Sequence, residues 1–133
     1  MNPSPILSKF SPASLAFIGD AVYSLLVREA LVKSADVKLF ALHENSVSLV
    51  NAAAQAKAAM LILPVLTAEE ADIYRRGRNA HVTVPKTSSS ADYHSATGLE
   101  ALFGFLYLSG RQNRLTELFS LIISEGFGNT IPI

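Results

Sequence analysis

Leu15-Ala16-Phe17-Ile18-Gly19-Asp20-Ala21-Val22 is a run of apolar and small residues broken by one acid. At about 100° per residue, a helix through it puts Leu15, Phe17, Ile18, Val22, Leu25 and Leu26 on one side. Ala16, Val27 and Leu31 fall on the other, with Asp20 among them. Apolar residues nearly all round predict a helix buried in a core or an interface. A carboxylate there costs on the order of several kcal/mol to desolvate unless a cation or a set of donors compensates it. Ser11-Pro12 opens this helix as an N-cap followed by the proline tolerated at the first helical position, and it runs to about Lys33.

Glu100 repeats the pattern. It is the only charged residue between Asp92 and Arg111, and Ala96, Thr97, Phe103, Gly104 and Tyr107 share its helical face. The small residues Ala16, Ala96 and Gly104 are expected to leave space beside the acids. Two acids on separate apolar helices, with room around them, suit a hard cation with oxygen ligands such as Mg²⁺.

Outward from these two helices, the remaining signals are also helical. A second region covers Val37 to Leu63, with a break expected near His43 and a stop at Pro64. Thr67-Ala68-Glu69-Glu70 is a capping-box pattern opening a helix that ends around Gly77 to Asn79. Val82 to Ala91 reads as a loop before a helix from Asp92 to Leu108, stopped by Gly110. A last helix spans Arg111 to Ser124, ahead of Gly126 and Gly128. Nothing alternates like a strand, so the expected fold class is all-α, and 133 residues without internal repeats are read as a single domain, 1–133.

Composition narrows the function classes. Half of the residues are apolar, more than so short a chain needs for its own core, which predicts a subunit interface. No apolar stretch reaches the roughly 20 residues that span a bilayer, because Lys57, Pro64 and Glu100 interrupt the candidates. Met1 to Pro5 resembles neither a secretory signal nor a transit peptide, so no membrane role and a cytoplasmic location are expected. The absence of cysteine excludes disulfides and thiolate metal sites.

Eleven basic and eleven acidic residues balance, yet no acid lies between Asp72 and Asp92, where Arg75, Arg76, Arg78, His81 and Lys86 crowd together. This predicts a local basic patch. His43, His81 and His94 lack metal-ligand spacing, and Ser95 and Thr97 lack the partners of a nucleophilic triad. Tyr23, Tyr93, Phe103, Phe105 and Tyr107 at helical spacing read as core or interface rather than base-stacking platforms. On the residues alone two blander readings stay open. Asp20 and Glu100 could be structural acids bonded to an Arg or a helix N-terminus, and the basic stretch could be a solvated helix end complementing the macrodipole.

Leu15 to Val22 resembles the signature helix of the ribonuclease III family, and Ala96-Thr97-Gly98-Leu99-Glu100-Ala101-Leu102-Phe103-Gly104 is similar to that family's second acidic motif. The chain also resembles the Mini-type branch, a nuclease domain without an appended double-stranded RNA-binding domain. Leu42-His43, Ser46, Val50, Ala52, Gln55-Ala56 and Arg75-Arg76-Gly77-Arg78-Asn79-Ala80 fit that branch. Larger family members carry acids where this chain has Ala16 and Thr97, a reduction that Mini-type members share.

The resemblance implies a homodimeric helical bundle that cleaves double-stranded RNA. It implies Asp20 and Glu100 as catalytic residues holding Mg²⁺, with Mn²⁺ as a substitute, and Arg75, Arg76, Arg78, Asn79, His81 and Lys86 as RNA-binding residues. Phe17, Ala16 and Tyr23 are the interface residues expected where signature helices meet at a twofold axis. The Mini-type likeness implies maturation of large-subunit (23S) ribosomal RNA precursors. The alternative on the same fold is a non-catalytic RNA-binding module, against which both acids speak. A helical protein that merely dimerises is the third reading.

Overall fold

The computed structural model describes residues 9–34 and 39–127, with the backbone alone over 39–43. The described residues form six α-helices and no strand, in agreement with the all-α expectation. Helix α1 (Pro12–Ser34) opens where Ser11 Oγ accepts the backbone N–H of Ser14 at 3.1 Å.

Helices α2 (Leu39–Val50) and α3 (Ala52–Ile62) replace the single interrupted segment expected from sequence. The start expected at Val37 lies outside the described residues. The break falls at Asn51 and not near His43, where the backbone stays helical. Asn51 caps α3 by accepting the N–H of Ala54 at 2.8 Å, and the chain bends by 57° there. The competition between an Asn side chain and the backbone it caps outweighs any local signal at His43.

Pro64 sits in a 3₁₀ turn, Leu63–Val65, after which Thr67 and Glu70 form the expected capping box at the start of α4 (Ala68–Arg78). Helix α5 (Ser90–Leu108) begins two residues earlier than expected, because the Ser89 hydroxyl accepts the N–H of Asp92 at 3.1 Å. Gly110, at φ +72°, makes the turn into α6 (Gln112–Gly126). That last helix includes Gly126 and stops at Phe127, past the expected end at Ser124; Gly128 lies outside the described residues.

Helix α5 is the axis of the bundle, packed by α1, α3, α4 and α6. From Ala96 to Leu106 every residue is buried except Glu100, which is half-buried. Two details of α1 correct the helical-wheel expectation. Its inward face is Leu15, Ala16, Gly19, Val22, Tyr23, Val27 and Leu31, while Phe17 is 86% exposed and Leu25 also faces out. A helix that is apolar all round gives periodicity no contrast, so the closest packing selects the face by residue size. Tyr23, expected at a subunit interface, is 0% exposed within this one chain, its ring 5.3 Å from that of Phe103 and 5.9 Å from that of Phe119. Ala16 is likewise buried, which leaves Phe17 as the exposed member of the expected interface set. Among the described residues no single helix is long and apolar enough to cross a membrane.

Candidate active site

The site begins with a backbone contact. A Cβ on Gly19 would stand 1.6 Å from the carbonyl oxygen of Glu100, and one on Gly104 would stand 2.0 Å from that of Leu15. Helices α1 and α5 therefore cross with main chain against main chain, which only glycine at these positions permits. Because Gly19 rests on Glu100, the next residue, Asp20, is delivered beside the Glu100 side chain. One turn further along both helices, Tyr23 meets Phe103. The expectation for Gly104 needs correction: the room it leaves is filled by the α1 backbone and not by ligand space.

The two acids line one cleft of about 400 Å³, together with Gln55 of α3, Ala16, Ala96 and Thr97. Asp20 is exposed, so the expected desolvation applies to Glu100 and not to Asp20. Burial pushes the Glu100 carboxyl up to about 8, and a hydrogen bond and charge repulsion from Asp20 add to the rise. A hydrogen bond from Gln55 pulls in the opposite direction. A like charge beside it in a partly dry cleft thus disfavours the ionised form of Glu100 where no cation is present.

Thr97 lines the cleft, but its hydroxyl donates to the Tyr93 carbonyl oxygen at 2.9 Å and so serves its own helix. The Tyr23 hydroxyl is buried without a hydrogen-bond partner, and its pKa is raised by burial first and by the Glu100 charge second.

No group of three or more His, Cys, Asp or Glu able to hold a metal occurs among the described residues. The donors present are two carboxylates and one carboxamide, all oxygen-bearing, in a cleft open to water. They fit a hard divalent cation that keeps several waters, and such a cation would favour the ionised form of Glu100.

A second cavity of about 600 Å³ adjoins the first, with Val82 lining both. Arg78, Asn79 and His81, three of the residues expected to bind RNA, line it together with His94 and Ser95. The other basic candidates stand elsewhere. Arg75 and Arg76 both bind Asp72, the latter through Nε at 2.8 Å, and Lys86 is exposed and lines neither cavity. All three arginines stand in the last turn of α4, so the helix-end reading applies to each of them. Two features were given no role from sequence: Gln55 in the cleft of the acids, and a part-buried pair in which Arg114 Nε and Nη2 each donate to Glu70 at 2.8 Å. Neither has a local signal, because each depends on helices brought together from distant parts of the chain.

Residues 13–111 match the Ribonuclease III domain family. The chain belongs to that family, and as such it is a nuclease. Within the family it is 44% identical to Mini-ribonuclease 3 of Symbiobacterium thermophilum over 80% of this chain and 83% of that one. It is 46% identical to Mini-ribonuclease 3 of a Thermoanaerobacter species over 85% and 80% of the two chains, and 47% identical to that of Gloeobacter violaceus over 84% and 81%. Among solved structures, it resembles a Fusobacterium nucleatum protein with a TM-score of 0.84 at 27% identity, covering 91% of this chain and 99% of the other.

Proposed function

We propose that the protein is a divalent-metal-dependent endoribonuclease that cuts double-stranded RNA at the Asp20–Glu100 cleft, using Mg²⁺ or, in its place, Mn²⁺. One observation carries the reading: two carboxylates from separate helices are held side by side, one of them driven to about 8, with no basic side chain lining their cleft. A structural acid in this protein looks different, as the pairing of Glu70 with Arg114 makes plain.

When bound, the cation supplies Lewis-acid stabilisation of charge on the phosphate and activation of water. The protein does the rest. Asp20 and Glu100 hold the cation from two helices whose spacing is fixed by backbone contact. The adjoining cavity presents Arg78, Asn79 and His81 to neighbouring phosphates and 2′-hydroxyls. Recognition in this mode follows A-form shape more than base sequence. Arg75, Arg76 and Lys86 extend the positive surface around it.

The working enzyme is a cytoplasmic homodimer of single nuclease domains, with exposed Phe17 on the dimer face at the edge of the cleft, and its substrate is the large-subunit ribosomal RNA precursor. Asp20→Asn and Glu100→Gln each abolish cleavage of an end-labelled RNA duplex in Mg²⁺ while duplex binding in a gel shift persists. Near wild-type cleavage by either variant would overturn the reading.

A further inference from the structure

We infer that Gln55 is a positioning residue of the metal site, holding the Glu100 carboxylate in place for the cation through its side-chain amide. The inference rests on the metal-dependent cleavage proposed above and adds to it a residue with no charge of its own. Gln55 is 2% exposed, one of few buried polar side chains among the described residues. A buried carboxamide needs partners. That of Gln55 lines the acid cleft beside Asp20 and Glu100, where its N–H, the donor of the amide, is the group that can serve a carboxylate.

The placement is built into the fold. Gln55 belongs to the first turn of α3, where its own N–H donates to the Asn51 carbonyl oxygen at 3.0 Å and the N–H of Ala54 donates to the Asn51 side chain at 2.8 Å. Asn51 thereby makes the 57° bend and starts the helix that points the carboxamide at α5. Without that bend, a continuous α2 and α3 would carry the side chain elsewhere.

The chemistry explains why an amide serves here. Asp20 and Glu100 repel each other, and a third acid would increase the repulsion before any cation arrives. An amide donor steadies one carboxylate without adding charge, at every pH in the working range. Groups that orient a ligand from behind typically contribute about 10–100-fold to metal affinity.

Titration calorimetry of the full-length chain with Mn²⁺ alone, without RNA, tests this. Gln55→Met, which keeps the volume, and Gln55→Ala, which keeps the helix, are expected to bind Mn²⁺ about 10-fold or more weakly. Cleavage by both should need correspondingly more Mg²⁺, while KM for the duplex at saturating Mg²⁺ stays at the wild-type value. Thermal unfolding establishes that each variant is folded, and either one suffices. Wild-type Mn²⁺ affinity in a folded variant overturns the inference, as does a raised KM with unchanged metal dependence, which would make Gln55 an RNA contact. If Asp20→Asn and Glu100→Gln lose Mn²⁺ while the Gln55 variants do not, only this inference fails. Cleavage by the acid variants would instead remove the functional reading beneath it.

Discussion

Glu70 and Glu100 are both glutamates drawn into the same helical bundle, and their surroundings are opposite. Glu70 is 2% exposed and fully engaged: two Arg114 nitrogens donate to it, and so does the backbone N–H of Thr67 at 2.9 Å. Burial pushes its carboxyl up, but the hydrogen bonds and charge of Arg114 with those of Thr67 outweigh it and leave it below the usual range. Arg114 also donates to the Val65 carbonyl oxygen and to Glu117, so one guanidinium ties α6 to α4 and to the turn before it. Glu100 is less buried, yet its close partners are another acid and an amide. The Glu70 carboxylate is supplied with its counter-charge by the fold, whereas that of Glu100 is left wanting one.

Breaking the satisfied member gives the largest expected effect on stability. Arg114→Ala strands the Glu70 charge and should lower the unfolding free energy by about 3–5 kcal/mol, read from urea denaturation. A loss below about 1 kcal/mol would mean that water already shares the pair. Metal affinity should be unchanged in molecules that remain folded, since Arg114 does not line the acid cleft.

Relieving the unsatisfied member should do the reverse. The Glu100 carboxyl titrates at about 8 when folded against an ordinary value near 4.5, so between these limits the folded state binds more protons than the unfolded. Stability from this group is therefore complete below about pH 4.5 and declines as pH rises toward 8. In metal-free protein Glu100→Gln removes that decline and should stabilise the fold at pH 8 by roughly 1–3 kcal/mol, with little difference at pH 5. Melting temperatures at the two pH values check it. Equal shifts at both would show that Glu100 is not the titrating group.

The smallest contrast separates the arginines. Arg78 lines the cavity next to the acids, whereas Arg75 and Arg76 already share Asp72. Arg78→Ala should flatten the slope of log affinity against log salt for duplex RNA by roughly 0.9, taking the duplex-DNA coefficient as a guide. The Arg75→Ala and Arg76→Ala variants should change it less. An equal change in all three would return the basic stretch to a single continuous patch.

These contrasts also mark what was legible in the sequence. Asp20 and Glu100 could be read because a charge in an apolar helix is conspicuous without any knowledge of its neighbours. The caps at Ser11 and Thr67 were legible for the same reason, being local chemistry over three or four residues. The place of Gln55 beside them was not, because a neutral residue in an Ala-rich helix gives no sign of what it faces until the helices are docked. The Glu70–Arg114 pair spans 44 residues and needs α4 and α6 to be docked before it exists. Tyr23 lies in the core and not at an outer face, since the Gly19 contact decides which side of α1 turns inward.

That contact has a consequence for what the cleft can accept. With main chain touching main chain at Gly19 and Gly104, the separation between the α1 and α5 carboxylates is set by a joint that has no slack. Loop movement or rotamer exchange can turn a carboxylate but cannot spread the helices that carry it. A cation site on this frame, as proposed above, would discriminate by ionic radius, favouring small cations such as Mg²⁺ and Mn²⁺ over Ca²⁺, whose longer bonds and higher coordination number call for a frame that yields.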